Sequence, residues 1–351
     1  MKNDRRWRRR ATICGLVVLS NLAMVIGGAA ARAQDAVADH FRGKTIDMYI
    51  GYATGGGYDA YGRLVARFLG DFLPGKPKLV PRNMPGGGGR VLAGYMFNVA
   101  PHDGTALAMA DQSLVLQQAI GDPTILFDSN KLNWIGNPAA DNNTIAVWSA
   151  TGVKTFEDAT RKEVVIGATG PNTSSQMAQL TNALLGTKFK IVSGYPGGND
   201  INLAMEKGEV GGRASSPWAT WKATRPDWVR DGKIIVIAQI GLTRAPDLPD
   251  VPLLTDLARN DEDRAVIRLI SAPATIGRPV FTTPGVPEAT LRALRQGFDA
   301  MVKYAPFNEE AAREKLDINP VSGEELQKIV HDLVATPKPI AERLAAIIKS
   351  P

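Results

Sequence analysis

Ile50-Gly51-Tyr52-Ala53-Thr54-Gly55-Gly56-Gly57-Tyr58-Asp59 is the stretch from which the rest of the chain is read. The apolar run Thr45 to Ile50 before it predicts a strand, and Ala60 to Leu73 after it predicts a helix, with Tyr61, Leu64, Val65, Phe68 and Leu69 at helical spacing. A strand, a triple-glycine turn and a helix in that order present backbone N–H groups to an anion. Glycine allows close approach, and the helix N-terminus supplies unpaired donors and partial positive charge. A second loop, Asn83-Met84-Pro85-Gly86-Gly87-Gly88-Gly89, leaves the next predicted strand, Leu79 to Arg82. A third strand, Thr105 to Ala110, leaves through Asp111-Gln112-Ser113. Three strand exits on one edge of a parallel sheet are where α/β proteins bind ligands.

The first 33 residues carry a different signal. Lys2 and five arginines up to Arg10 precede an apolar run from about Ala11 to Ala31, and Ala31-Arg32-Ala33 has the small-x-small pattern of a signal-peptidase site. We expect secretion with cleavage near Ala33; a retained membrane anchor is the alternative, since a run of that length can span a bilayer. Seven of the 41 basic residues and one of the 35 acidic residues lie in that segment, which leaves 34 of each. The net charge of +6 therefore belongs to the leader, and the remainder offers no basic surface for nucleic acid or anionic membrane. The single cysteine, Cys14, also lies in the leader, so neither disulfide nor thiolate chemistry is expected. The roughly 320 residues that follow suffice for two α/β lobes without disulfide staples.

A second α/β pattern follows the first. Thr144 to Trp148 predicts a strand, Val164 to Ile166 another, and Gly167 to Ser175 its exit loop before a helix over Gln176–Leu185. Phe189 to Val192 leaves through Gly194-Tyr195-Pro196-Gly197-Gly198-Asn199-Asp200, and Val210 to Ala214 carries Arg213 towards Ser215-Ser216-Pro217-Trp218. Ile234 to Ile240 is unbroken and apolar, as in a strand buried on both faces, and it fits a return towards the first lobe. Beyond it we expect Val280–Thr282 as a strand, a helix from Pro287 to about Tyr304, and two amphipathic helices at Gly323–Val334 and Ile340–Ile348. The expected division is 34–147 for the first part of lobe 1, 148–240 for lobe 2, and 241–351 for the return to lobe 1.

Residue types limit the chemistry. Gly55-Gly56-Gly57-Tyr58-Asp59-Ala60 fits the dinucleotide pattern G-x-G-x-x-A, but the following strand exit has no acid to hold a ribose. His40, His102 and His331 lack metal-ligand spacing, and no serine shows a base partner; Ser174 and Ser175 open a helix, a capping position. Arg213, flanked by glycines and small polar residues, is either a fork for a ligand carboxylate or half of a structural ion pair. Asp59 either contacts a ligand or stabilises the first turn of its helix. Trp218, Trp221 and Trp228 line a pocket or pack beneath a helix.

Tyr52–Asp59, Asn83–Gly89, Ala168-Thr169-Gly170, Tyr195-Pro196-Gly197-Gly198 and Leu248-Pro249-Asp250-Val251-Pro252 resemble, in order and spacing, the substrate-binding receptors of tripartite tricarboxylate transporters, the Bug family. The resemblance covers nearly all of the chain after the leader. It implies an α/β, two-lobed periplasmic-binding-protein fold (type II-like), with a ligand cleft between lobes joined by two crossings. It also implies a receptor that closes on a small carboxylated solute and hands it to membrane permease subunits; we expect a non-enzymatic monomer without cofactor or metal, and a di- or tricarboxylate or similar organic anion as ligand. In such receptors the first glycine loop and the loop matching Ala168–Ser175 grip the carboxylate, often through water. This chain has Gly51 and Thr54 where the family usually has proline, a larger residue in Tyr58, and Gly211-Gly212-Arg213 where an acid is common. The expected ligand-binding residues are Tyr52, Thr54, Gly55, Gly56, Gly57, Tyr58, Asp59, Gly87, Gly88, Gln112, Thr169, Asn172, Thr173, Ser174, Ser175, Tyr195, Arg213 and Ser215. Presentation of the ligand to a signalling sensor, and hydrolysis by Ser174 or Ser175, are the alternative readings.

Overall fold

A computed structural model describes residues 35–348; the predicted leader and its cleavage site lie outside them. Strands β1 (Thr45–Ile50), β2 (Lys78–Asn83), β3 (Ala106–Met109) and β4 (Asn133–Asn137) form one sheet with two late strands, β10 (Val280–Thr282) and β11 (Val321–Ser322), in the order β11-β4-β10-β3-β1-β2. The intervening β5 (Asn143–Trp148), β6 (Val164–Ala168), β7 (Phe189–Ser193), β8 (Gly212–Pro217) and β9 (Ile234–Ile240) form the second sheet, ordered β7-β6-β8-β5-β9. Each sheet carries helices, and together they make a mixed α/β protein of two lobes, the periplasmic-binding-protein architecture.

In the first lobe β1 runs parallel to both β2 and β3, so the exits at Gly51, Met84 and Ala110 lie along one edge, as the glycine loops predicted. The late strand β10 enters antiparallel between β3 and β4. In the second lobe β6 lies parallel to β7 and β8, while β5 runs antiparallel to β8 and β9. The exits of β6, β7 and β8 face the first lobe.

The crossings differ from those expected. β5 belongs entirely to the second sheet, so the chain first crosses at 138–142 rather than at 147/148. There Asn319 ties the crossing down: its N–H donates to the Pro138 carbonyl at 3.0 Å, and its own carbonyl accepts from the Ala140 N–H at 3.0 Å. The strand β9 is an edge strand of the second sheet, not a return to the first. Its outer edge is covered where the Gln239 N–H donates to the Pro252 carbonyl at 2.9 Å, which is why so apolar a strand stands at an edge. Nor does everything after residue 240 go back to lobe 1. The helix Gly323–Val334 packs on β4, whereas Asp261–Ser271 and Lys338–Ile348 pack on each other and on the helix Thr173–Leu180 of the second lobe. The C-terminal segment therefore crosses once more, at Ala335-Thr336-Pro337, and its helices share one continuous core with both sheets.

Candidate ligand-binding site

The cleft between the lobes holds a narrow cavity of about 60 Å³. From the first lobe its wall is Tyr52 to Tyr58 with Asp111 and Gln112; from the second it is Thr169, Asn172, Thr173, Ser174, the Gly197–Asp200 turn, Asn202, Arg213, Ser215, Pro217, Thr220 and Thr224, joined by Asn143. Arg213, Ser215 and Pro217 all come from β8, whose pairing with β5 is irregular between Arg213 and Ser216.

Three helices start at this cavity: Gly57–Phe68, Thr173–Leu180 and Gly198–Glu206. The first and third have glycine N-caps, Gly56 and Gly197, with no side-chain bond to the helix end. Their first N–H groups are therefore left for something in the cleft. The second is capped by Asn172, whose Oδ1 accepts from the Ser174 N–H at 2.9 Å and the Ser174 hydroxyl at 2.6 Å. That hydroxyl also accepts from the Thr169 N–H at 3.0 Å. It is thus engaged in holding its own loop, and its proton points to an amide oxygen rather than to a base.

Arg213 is the decisive residue. It is buried, its Nη1 donates to Asn202 Oδ1 at 3.3 Å, and its Nε has no hydrogen-bond partner. Among the described residues it pairs with no carboxylate. The guanidinium lies 5.1 Å from the Trp221 ring centroid, and a Cβ on Gly198 would stand 2.8 Å from its Nη2. It therefore rests against the positive end of a helix, and Arg225 adds further positive charge nearby. Burial lowers its pKa to about 10, so it remains a cation at neutral pH, out of water and without a counterion. Of the two sequence readings of Arg213, the structure removes the ion pair.

Across the cavity Tyr52 stacks on Tyr58 at 4.8 Å, donates its hydroxyl to Asp111 Oδ2 at 2.5 Å, and accepts from Asn172 Nδ2 of the other lobe at 3.4 Å. Burial holds the Asp111 carboxyl above its usual range, opposed by the bonds from Ser113 and Tyr52. Behind Tyr58, Arg278 is also fully buried; its Nη2 donates to Thr220 Oγ1 of the second lobe at 2.7 Å and its guanidinium lies 4.3 Å from the Tyr61 ring centroid. The two lobes are thus in contact on both sides of the cavity.

Most of the expected residues lie on this wall, but five do not. Gly87, Gly88 and Tyr195 line a neighbouring cavity beyond Tyr52 and Thr169. Ser175 turns inward, its hydroxyl donating to the Gly170 carbonyl at 2.8 Å. Asp59 faces its own lobe, where it accepts from Arg63 Nε at 2.9 Å, Asn83 Nδ2 at 2.8 Å and the Gly55 N–H at 3.0 Å. Burial opposes ionisation of Asp59, but those bonds outweigh it and hold the carboxyl below its usual value. It stands in the first turn of its helix, as the second sequence alternative has it, and its bonds also shape the glycine loop. Arg63 is half-exposed and its charge is screened, so Asp59→Asn is expected to cost about 2 kcal/mol in urea unfolding at pH 7. Because the folded pKa is the lower one, that contribution fades as pH falls from about 4 through the folded value. Trp221 and Trp228 are buried in the second-lobe core, and Trp218 donates to Asp247 Oδ2 at 2.7 Å, so none of the three lines the cavity directly.

Sequence reading missed Asp111, Asn143, Asn199, Asn202 and Thr220. Asp111 stood in the quoted exit Asp111-Gln112-Ser113, and Asn199 in the exit of β7, so position was available for both; Asn143, Asn202 and Thr220 carry no local signal.

Two lobes meet over a cavity where three helices begin, and comparison with known proteins agrees on that fold. The chain is 26% identical over 329 residues to the UPF0065 protein in the gbd 5' region of Cupriavidus necator, covering 90% of this chain and 92% of that one. The periplasmic binding protein BugD shares its fold with a TM-score of 0.69 at 16% identity, over 88% of this chain and 98% of that one. The R. palustris protein Rpa4515, solved with adipate, does so with a TM-score of 0.67 at 18% identity, over 87% and 98%. No family model matches the chain. The resemblance read from the glycine loops holds: the chain is built as the Bug-type receptors are. Among the described residues no helix is long and apolar enough to cross a membrane, and no group of three or more His, Cys, Asp or Glu side chains could hold a metal ion.

Proposed function

We propose that this protein is an extracytoplasmic receptor that captures a small carboxylated metabolite between its lobes and delivers it to a tripartite tricarboxylate-type permease. The observation that carries the reading is Arg213, a buried guanidinium with no acid partner, set against the N-terminus of one helix in a cavity where two others also begin. A carboxylate there supplies the missing counterion and accepts bidentate bonds. The adipate in Rpa4515 accords with it. Each lobe contributes part of the wall, so a ligand that bridges both stabilises the closed arrangement, as capture and release require.

The test is a thermal-shift screen of carboxylates against the purified chain. A true ligand at a hundred times its Kd adds about 2.7 kcal/mol of stability and raises the unfolding temperature by several degrees. Neutral amides of the same shape should give no shift. If amides stabilise as well as acids, or no carboxylate does, the reading is wrong. Delivery is tested separately, by ligand-dependent binding to permease subunits.

A further inference from the structure

Asn199 stands on the cavity wall in the first turn of the helix Gly198–Glu206, and either end of its amide could face the cleft. Arg225 decides which. Its Nη2 donates to Asn199 Oδ1 at 2.7 Å. A guanidinium has only donors, so the amide oxygen turns to Arg225 and Nδ2 turns away from it. On that side a Cβ on Gly55 of the first lobe, across the cavity, would stand 3.6 Å from Nδ2. Arg225 is itself held from several sides. Its guanidinium lies 5.2 Å from the Trp228 ring centroid, and its Nη1 donates to the Thr224 carbonyl at 2.8 Å. Its backbone, kept out of the helical region by Pro226, ends the helix Trp218–Thr224 and begins Pro226–Arg230, where its carbonyl accepts from the Trp228 N–H at 3.0 Å. Among the described residues it pairs with no carboxylate, and its charge reaches Arg213.

Resting on the carboxylate reading above, we propose that Arg225 is the positioning residue that makes this end of the cavity select an acid over its amide. With Oδ1 engaged, the second lobe presents Asn199 Nδ2, the Arg213 guanidinium and the uncapped N–H groups of the helix Gly198–Glu206 as neighbouring donors. A carboxylate accepts with both oxygens. A carboxamide accepts with one and sets its own N–H groups against the other donor. Asp200 lies on the same wall and forms an ion pair with neither arginine. Remove Arg225, and the Asn199 amide is free to turn over and offer its oxygen to the cleft. Arg225 thus acts on the ligand through Asn199, from behind the wall.

The experiment is calorimetric titration with butanoate and succinate, and with butanamide and succinamide, of the purified chain, Arg225→Met, Asn199→Ala and the double variant. Arg225→Met should weaken the acids about tenfold or more, the weight of one hydrogen bond to a charged group, and lower the acid-to-amide affinity ratio by about as much. Because Arg225 acts through Asn199, the double variant should bind the acids within about threefold of Asn199→Ala alone. Equal weakening of acids and amides by Arg225→Met marks a structural effect and overturns the proposal, as does a double variant in which the two losses multiply; either result leaves the carboxylate reading standing. Urea unfolding without added acid tests the contact by itself. Asn199→Asp should raise the midpoint more in the wild-type background than on Arg225→Met, and equal shifts overturn the proposal. Should no acid of the thermal-shift screen bind the wild-type chain, the carboxylate reading falls and this proposal with it.

Discussion

Arg213→Gln should lower carboxylate affinity by a factor of about a hundred or more and leave the ligand-free protein at least as stable as before. Both halves follow from one geometry. The guanidinium is buried, pairs with no acid and leaves Nε without a partner. Each charge-assisted bond to a ligand is worth about 1.5–3 kcal/mol, and removing one member of a buried charge pair costs about 2–5 kcal/mol of binding, or about thirty- to several thousand-fold. In the absence of ligand the same charge is a liability. It has been taken out of water with only Asn202, the face of Trp221 and whatever occupies the cleft to compensate. A neutral amide of similar length loses the cation–π contact, on the order of 1 kcal/mol, but removes the desolvated charge. Calorimetric titration measures the first effect and urea unfolding without ligand the second. An Arg213 that were merely structural would show the reverse, lower stability with affinity intact. Loss of both together would place the residue in the fold rather than in the site.

How far the chain could be read without coordinates depends on whether the signal was local. The exits after Ile50, Asn83 and Met109 were legible because strand, turn and helix each leave their mark within a few residues, and parallel strands align such exits on one edge. The strand β4, Asn-Trp-Ile-Gly-Asn, was not: it is short, polar at both ends and broken by glycine, so nothing marks it as the last strand before the crossing. The helix Lys338–Ile348 shows an apolar face, but amphipathicity says that a face is buried without saying against which lobe. Asp59 illustrates the same limit within the site. Its place at the start of a helix beside a glycine loop fits a ligand contact or a stabiliser of the helix's first turn, and only Arg63 and Asn83, four and twenty-four residues away, show that it also braces the loop. Arg213 likewise needed the whole surroundings, because what matters is that neither Asp111 nor Asp200, which line the same cavity, pairs with it.

A methyl group at Gly57 should cost more affinity than any other change of that size in the first glycine loop. A Cβ there would collide with the Thr220 hydroxyl of the opposite lobe, whereas a Cβ on Gly56 meets nothing within 4 Å. The importance of the triple glycine is therefore uneven, and Gly57 rather than Gly56 is where closure is sensed. Gly57 is the first residue of its helix and its N-cap, Gly56, is extended, so alanine introduces no backbone strain and favours the helix slightly. The fold is left intact while the closed arrangement is obstructed. Closure also carries the bond from Arg278 to Thr220 Oγ1 and the contact of Asn172 with Tyr52, both of which weaken as the lobes are held apart. Gly57→Ala is expected to weaken carboxylate binding at least tenfold, enlarge the radius of gyration measured in solution with saturating ligand, and leave urea stability without ligand within about 1 kcal/mol. Because the clash is with one hydroxyl, Thr220→Ala on the Gly57→Ala background should recover part of the affinity, although alone it weakens binding by removing the acceptor for Arg278. A double variant no tighter than Gly57→Ala would show that the glycine acts through the backbone N–H groups at the helix start and not through the space it leaves for the other lobe.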